Sequence, residues 1–305
     1  MATPESFYRE TIDLNRYSNQ VARRIITNYN NVILDLTNKL ATIDEVTAPA
    51  TVARIRSMLV QMKESLETWS TSSSALMVDE LQSLAVFQSG FIADELQKVL
   101  PVGAVNVNTV QVSPDFARSI VMTDPTEVNI LTLPNNLEPT VQRTFNLTAA
   151  KGSAITLPSG EVVSKAFRGI STKQSELISS QIRIGITEGE SIPKIAKRLR
   201  GRLQFGRNQE MTAKAQRLAA GDGMKLANTQ VMTIVRTSVN QVQNAVSQAS
   251  YASNGNVTQR YEYVATLDAR TSTICGNLDG RTFKYNEGPL PPQHFNCRST
   301  TVPII

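Results

Sequence analysis

A chain of 305 residues has room for two ordinary domains, or for one domain with a helical extension, and it can bury a real core. With 41% hydrophobic and 19% charged residues it is composed like a globular protein. It has no apolar run of the ~18 residues a membrane span needs, and the polar stretch from Met1 to Arg9 lacks the apolar centre of a signal peptide.

The net charge of +5 divides unevenly: residues 1–150 carry 11 Lys and Arg against 16 Asp and Glu, and residues 151–305 carry 20 against 10. That asymmetry predicts a basic half that meets nucleic acid or an acidic partner. One histidine, His294, excludes an HExxH zinc protease, a His-rich nuclease and a two-histidine acid/base pair. The composition predicts a chain made and kept in a cytoplasm, or one that leaves it by a route other than secretion.

In chain order, Leu14, Tyr17, Val21, Ile25, Tyr29, Val32, Leu36 and Leu40 recur every three to four residues, the stripe of a long amphipathic helix. A second helix is predicted from Pro49, tolerated in a first turn, through Val52, Ile55, Leu59, Met62, Leu66 and Trp69. Thr71 to Ser74 predict a break and a new N-cap, and a third helix then runs to Val99. Residues 1–100 are therefore expected to form a helical bundle or hairpin array, either a packing scaffold or a surface that docks on a larger assembly.

Residues 101–170 read as a linker or small β region. Val105, Val107, Val110 and Val112 suggest a bulged strand, and Ile155 to Leu157, Pro158-Ser159-Gly160 and Glu161 to Val163 suggest a hairpin. Helix returns from Ser171 to Ile186 and stops at Gly189, with a short helix capped by Ser191 next. The stretch from Lys194 to Arg217 holds Lys194, Lys197, Arg198, Arg200, Arg202, Arg207, Lys214 and Arg217 against the single acid Glu210. It is either a solvated helix face or a set of phosphate contacts; with Phe205 as its one aromatic, base stacking is not indicated.

After a break at Gly221 and Gly223, Ile234, Val235, Val239, Val242, Val246 and Ala249 mark a long helix rich in Gln, Asn and Ser, closed at Asn254-Gly255. Alternation at Tyr261, Tyr263, Ala265 and Leu267, an Asp279-Gly280 turn and a last strand near Arg298 to Val302 describe a small domain with an antiparallel sheet. The fold class is α+β, predominantly helical: a helical N-terminal part, a β-containing middle and a small C-terminal α+β domain at 171–305.

This C-terminal stretch holds both cysteines and the histidine. His294 and Cys297 stand in H-x-x-C spacing and Cys275 lies 19 residues before His294, a thiolate and imidazole set of the kind zinc accepts. A structural zinc wants four ligands, so Asp268, Asp279 or water would complete the shell. Two other states stay open: a Cys275–Cys297 disulfide, and reduced packing with His294 bonded to backbone. Asp268 and Arg270 are expected to pair or to cap the turn at Ser272.

The ordered combination Tyr263-Val-Ala-Thr-Leu-Asp-Ala-Arg-Thr-Ser272, Cys275, Leu278-Asp-Gly280, Pro291-Pro292 and His294-Phe-Asn-Cys-Arg298 resembles the minor head proteins of tailed phages typified by the Mu F protein, the phage head morphogenesis proteins. Residues 182–199 and the helix with Arg236-Thr237 and Asn240 extend the resemblance back to about residue 170. Family members often read His-Pro-Asn-Cys-Arg-Cys and many have a Cys-x-x-Cys; here Phe295 stands for the proline, Ser299 for the last cysteine, and Cys275 is alone. The resemblance implies a non-enzymatic virion component in several copies, assembled in the host cytoplasm. It would associate with portal protein and with major capsid or scaffolding protein at the head interior, near packaged DNA and without a membrane anchor, and the motif carries over no catalytic residue.

Overall fold

The computed structural model describes residues 4–43, 48–100, 107–122, 126–130, 144–151, 157–200, 220–285 and 287–305. It is helical α+β as expected: α1 (Pro4–Ala41), α2 (Ala48–Val99), β1 (Thr109–Val112), α3 (Phe116–Met122), β2 (Thr126–Ile130), β3 (Thr144–Lys151), α4 (Val163–Thr187), α5 (Ile192–Arg200), α6 (Ala220–Ser253), β4 (Arg260–Val264), α7 (Thr273–Leu278), β5 (Thr282–Lys284) and β6 (Thr300–Ile304). None of the described helices is long and apolar enough to cross a membrane.

The predicted second and third helices are one. Thr71, Ser72 and Ser74 do not break α2, because each hydroxyl turns back to a carbonyl three or four residues earlier: Thr71 to Glu67, Ser72 to Trp69 and Ser74 to Ser70. Within a helix these residues satisfy themselves locally, so a Ser/Thr run is not by itself a stop. Gly221 and Gly223 likewise lie inside the first turn of α6. The predicted hairpin at 155–163 is also corrected. Gly160, at φ 79, and Leu157 close a turn with Glu161, but Val163 is already helical. Its first arm, at Ile155 and Thr156, lies outside the described residues, as does Val105.

Helix α4 ends as its glycine predicts. Gly189 adopts φ 66, its N–H donates to the Ile186 carbonyl, and the Glu190 N–H donates to Gly185, the paired bonds of a Schellman stop.

The chain forms two compact units. One comprises residues Ala22–Ser74 and Ser164–Met232. Its centre is aromatic: Trp69 meets Tyr29 at 5.1 Å and Phe167 at 5.9 Å, both edge-on. The indole N–H of Trp69 donates to the Ile25 carbonyl, and the Tyr29 hydroxyl donates to the Gln174 amide oxygen.

The other unit comprises Met1–Val21, Ala75–Val163 and Thr233–Ile305. It holds two three-stranded sheets. In the first, ordered β1-β3-β2, β1 runs parallel and β2 antiparallel to β3; the second, ordered β5-β4-β6, is antiparallel throughout. Phe7, Ile92, Leu96, Val107, Tyr251 and Val302 form one apolar cluster. The six apolar positions predicted to face inward on α6, from Ile234 to Ala249, are all buried.

What the apolar pattern of α6 does not show is its polar contact with β6. Asn240 donates to the Ser299 carbonyl, Gln243 to the Thr300 hydroxyl, Gln248 to the Thr301 hydroxyl and Tyr251 to the Thr301 carbonyl. These positions recur at helical spacing, so a stripe of amides and one phenol fixes the helix against an edge strand. Asn254 closes α6 through its side chain, which donates to the Ser250 carbonyl, rather than through a left-handed backbone.

Candidate functional site

The site is built around β4. Its pleat places Tyr261 and Tyr263 on one face, both fully buried, and Tyr263 and Ala265 pack with Cys275 and Cys297. The predicted alternation ends before Leu267, which is 68% exposed. The Ala265 N–H leaves the sheet ladder to bond the Asp279 carboxylate at 2.7 Å, and the strand stops at Val264.

Cys275 is delivered by α7, whose N-cap Ser272 accepts a hydrogen bond from the Cys275 N–H at 3.2 Å. The expected turn follows, with Gly280 at φ 72, and leads into β5. Gly288 is required for the next loop, since a Cβ there would collide with Phe283 and the Tyr261 hydroxyl; that hydroxyl donates to the Pro289 carbonyl.

His294 and Cys297 come from the two ends of a tight turn closed by the Cys297 N–H to the His294 carbonyl at 3.2 Å. Asn296, at φ 58, occupies the left-handed position that such a turn demands and that asparagine tolerates. It is held there by α6, with its N–H donating to the Thr237 hydroxyl and its amide to the Thr233 hydroxyl. This turn is what makes H-x-x-C spacing converge.

The three side chains do converge. Cys275 Sγ lies 3.2 Å from His294 Nε2 and 3.7 Å from Cys297 Sγ, and all three ligand atoms fall within 4.8 Å of one another. Both cysteines are buried free thiols, well beyond the ~2.05 Å of a disulfide bond. His294 Nδ1 lies 2.8 Å from the Phe295 carbonyl, which can only accept, so Nδ1 carries a proton and Nε2 is the nitrogen that faces the Cys275 sulfur. Burial opposes ionisation of Cys275, but hydrogen bonds from Ser272, Ser299, Tyr263 and Cys297 outweigh it and hold this thiol below its ordinary range. Burial pushes the Cys297 thiol up.

Asp268 is not part of this group. Arg298 grips both its carboxylate oxygens at 2.6 Å, and Arg270 adds a 3.3 Å contact and a backbone N–H bond, which together hold the carboxyl far below its usual range. The expected Asp268–Arg270 pair is present, and Asp268 also ties the residue after Cys297 to the loop before α7.

Beside the three ligands lies a cavity of about 830 Å³, lined by His294, Cys297, Arg298, Arg270, Arg236 and Asn19 among others. Arg236 donates to the Asn19 amide oxygen at 2.9 Å. Burial, and then the charges of Arg270 and Arg298, weaken its hold on its proton. The sequence marked Arg236, Thr237 and Asn240 only as part of a resemblance; their roles become visible once α6 lies against the loop.

Of the basic candidates, Lys194 stands in the first turn of α5, 3.2 Å from the Glu190 carboxylate. Lys197, Arg198 and Arg200 lie on α5 with their side chains outside the described residues, and Arg202, Arg207, Lys214 and Arg217 fall outside them altogether.

Residues 176–302 match the family model described as phage Mu protein F like protein, spanning the cysteines, the histidine, α6 and nearly all of the β5-β4-β6 sheet. This part of the chain is similar to that family. No curated protein and no solved structure matches the chain. The matched range agrees with the extent of the resemblance read from the sequence. Every residue that shapes the Cys/His turn, from Thr233 to Arg298, lies within the matched range.

Proposed function

We propose that this chain is a non-enzymatic structural minor head protein of a tailed phage, acting in head morphogenesis at the portal and the capsid interior. The Mu F-like match over residues 176–302 carries this reading. The chemistry of the segment supports it, because its polar side chains are spent on holding the fold: Asn240 and Asp279 bond backbone, Asn296 bonds the Thr233 hydroxyl and Asp268 is bound by Arg298. Residues 1–150, rich in long helix, would dock on portal, capsid or scaffolding protein, and the basic half would face packaged DNA.

The test is the composition of purified particles with and without the gene. The expected result is several copies per particle, binding of the purified chain to portal, and heads of abnormal number or DNA content when it is missing. Normal, infectious particles without it, together with no binding to portal, would overturn the reading. Contact with DNA through the segment from Lys194 to Arg217 predicts a log-linear fall of affinity with salt; a salt-insensitive curve excludes phosphate contact.

A further inference from the structure

We infer that Cys275, Cys297 and His294 form a three-ligand zinc site whose fourth position is filled by water from the adjoining cavity. Two thiolates about 2.3 Å from a tetrahedral zinc stand about 3.8 Å apart, and a thiolate and an imidazole about 3.6 Å apart. The protein holds the corresponding Cys275 pairs at 3.7 Å and 3.2 Å, and all three ligand atoms lie within 4.8 Å of one another, so the set closes onto an ion as His294 and Cys297 draw together. A thiol contact between two reduced cysteines has a similar length, so the sulfur separation does not decide alone.

The orientation of the histidine adds a second observation. His294 commits Nδ1 to the Phe295 carbonyl at 2.8 Å, which turns Nε2 toward the Cys275 sulfur at 3.2 Å, the orientation a metal ligand needs. Backbone support of the remote nitrogen is the usual outer shell of a metal-bound imidazole. The turn at Asn296 is fixed by Thr233 and Thr237, so the ligands from the loop are positioned by α6 and the one from α7 by its Ser272 cap. Among the described residues no fourth Cys, His, Asp or Glu joins the three, and Asp268 is engaged by Arg298. His294 and Cys297 line the cavity, which gives solvent its route to the remaining position.

Binding replaces the two thiol protons, which leave to solvent, and staples α7 to the loop that ends at β6. Thiolates and imidazole suit zinc better than magnesium or calcium, which take oxygen.

The test uses the full chain, purified with reductant, incubated with Zn²⁺ alone and desalted. One zinc per chain is expected by elemental analysis, and His294→Gln weakens binding by at least about tenfold. Because a ligand variant can lose its fold, Co²⁺ is substituted into the unaltered chain as a second reading. Tetrahedral d–d bands with thiolate charge transfer support the site; an octahedral spectrum without charge transfer overturns it. No zinc above that held by a Cys275→Ser/Cys297→Ser variant overturns it as well. So does a chain isolated without reductant that holds a disulfide and takes up no zinc after reduction. Metal content of the isolated chain is independent of any role in the head, so this inference and the functional proposal fail separately.

Discussion

The two units solve the same burial problem with different chemistry. The unit containing Tyr29, Trp69 and Phe167 closes on interlocked aromatic rings, whose geometry is satisfied by many small adjustments. The unit containing β6 holds a helix to an edge strand through Asn240, Gln243, Gln248 and Tyr251, where a shift of one residue would leave several buried polar groups without partners. Apolar packing supplies affinity between elements, and a polar ladder supplies register. Register is what the Cys/His turn needs, since Asn296 must meet Thr233 and Thr237 on the same helix.

The largest effect expected from breaking this contrast is in the aromatic unit. Trp69→Ala removes the central ring and its bond to Ile25, and costs about 3–5 kcal/mol in denaturant-induced unfolding. Zinc content, read in the same protein while it remains folded, is expected to be unchanged, because no ligand of the Cys/His site belongs to that unit. Loss of metal from a folded Trp69→Ala chain would show that the two regions do not act separately.

Glu10 gives the next largest effect, and it depends on pH. This buried carboxyl is pushed up to about 8, chiefly by burial, with a hydrogen bond to Gln88 opposing and the charge of Glu95 adding to the shift. Tyr251 of α6 also feels its charge. The folded state holds the proton more tightly than the unfolded chain, whose ordinary value is 4.5. Its contribution is therefore fully present below about 4.5 and is lost as pH rises through about 8. Glu10→Gln removes that dependence and stabilises the chain at pH 9 by about 2–4 kcal/mol, with little change at pH 4. Parallel melting curves of the two proteins from pH 4 to pH 9 check this; curves that stay equally spaced at every pH refute it.

The ladder itself is tested by an asymmetry. Gln243→Leu leaves the buried Thr300 hydroxyl without its donor, takes an acceptor from Asn244, and costs about 1–3 kcal/mol, while Gln243→Leu with Thr300→Val removes both partners of the first bond and recovers its share of that loss. If the double variant is as unstable as the sum of its parts, the bond between them does not set the cost.

How much of this was legible in the sequence follows from which interactions are local. The buried face of α6 was readable because apolar periodicity reports a helix directly. The continuity of α2 through Thr71 to Ser74 was not, because the same hydroxyls that cap a helix can bond back within one, and composition does not say which. In the site, the H-x-x-C spacing and Cys275 pointed to three converging ligands. The assignment of Asp268 as a fourth ligand lacked the one fact that removes it from the group, the approach of Arg298 from 30 positions downstream. Thr233 carried no signal and Thr237 only its place in the resemblance for the same reason, since their partner Asn296 lies about 60 positions away.

The smallest predicted effect is the most specific to that long-range design. Asn296 sits at φ 58 and makes two bonds to α6, one through its backbone and one through its side chain. Asn296→Gly keeps the backbone bond and removes the steric cost of the left-handed conformation, losing only the amide contact to Thr233. Asn296→Ala loses the same contact and keeps the clash of its Cβ with its own carbonyl. The two variants are therefore expected to differ by about 1 kcal/mol, with glycine the more stable. Equal stabilities would mean that the turn relaxes out of the left-handed region when its side chain is cut, and that the convergence of His294 and Cys297 is held by the amide bond to α6 rather than by backbone conformation.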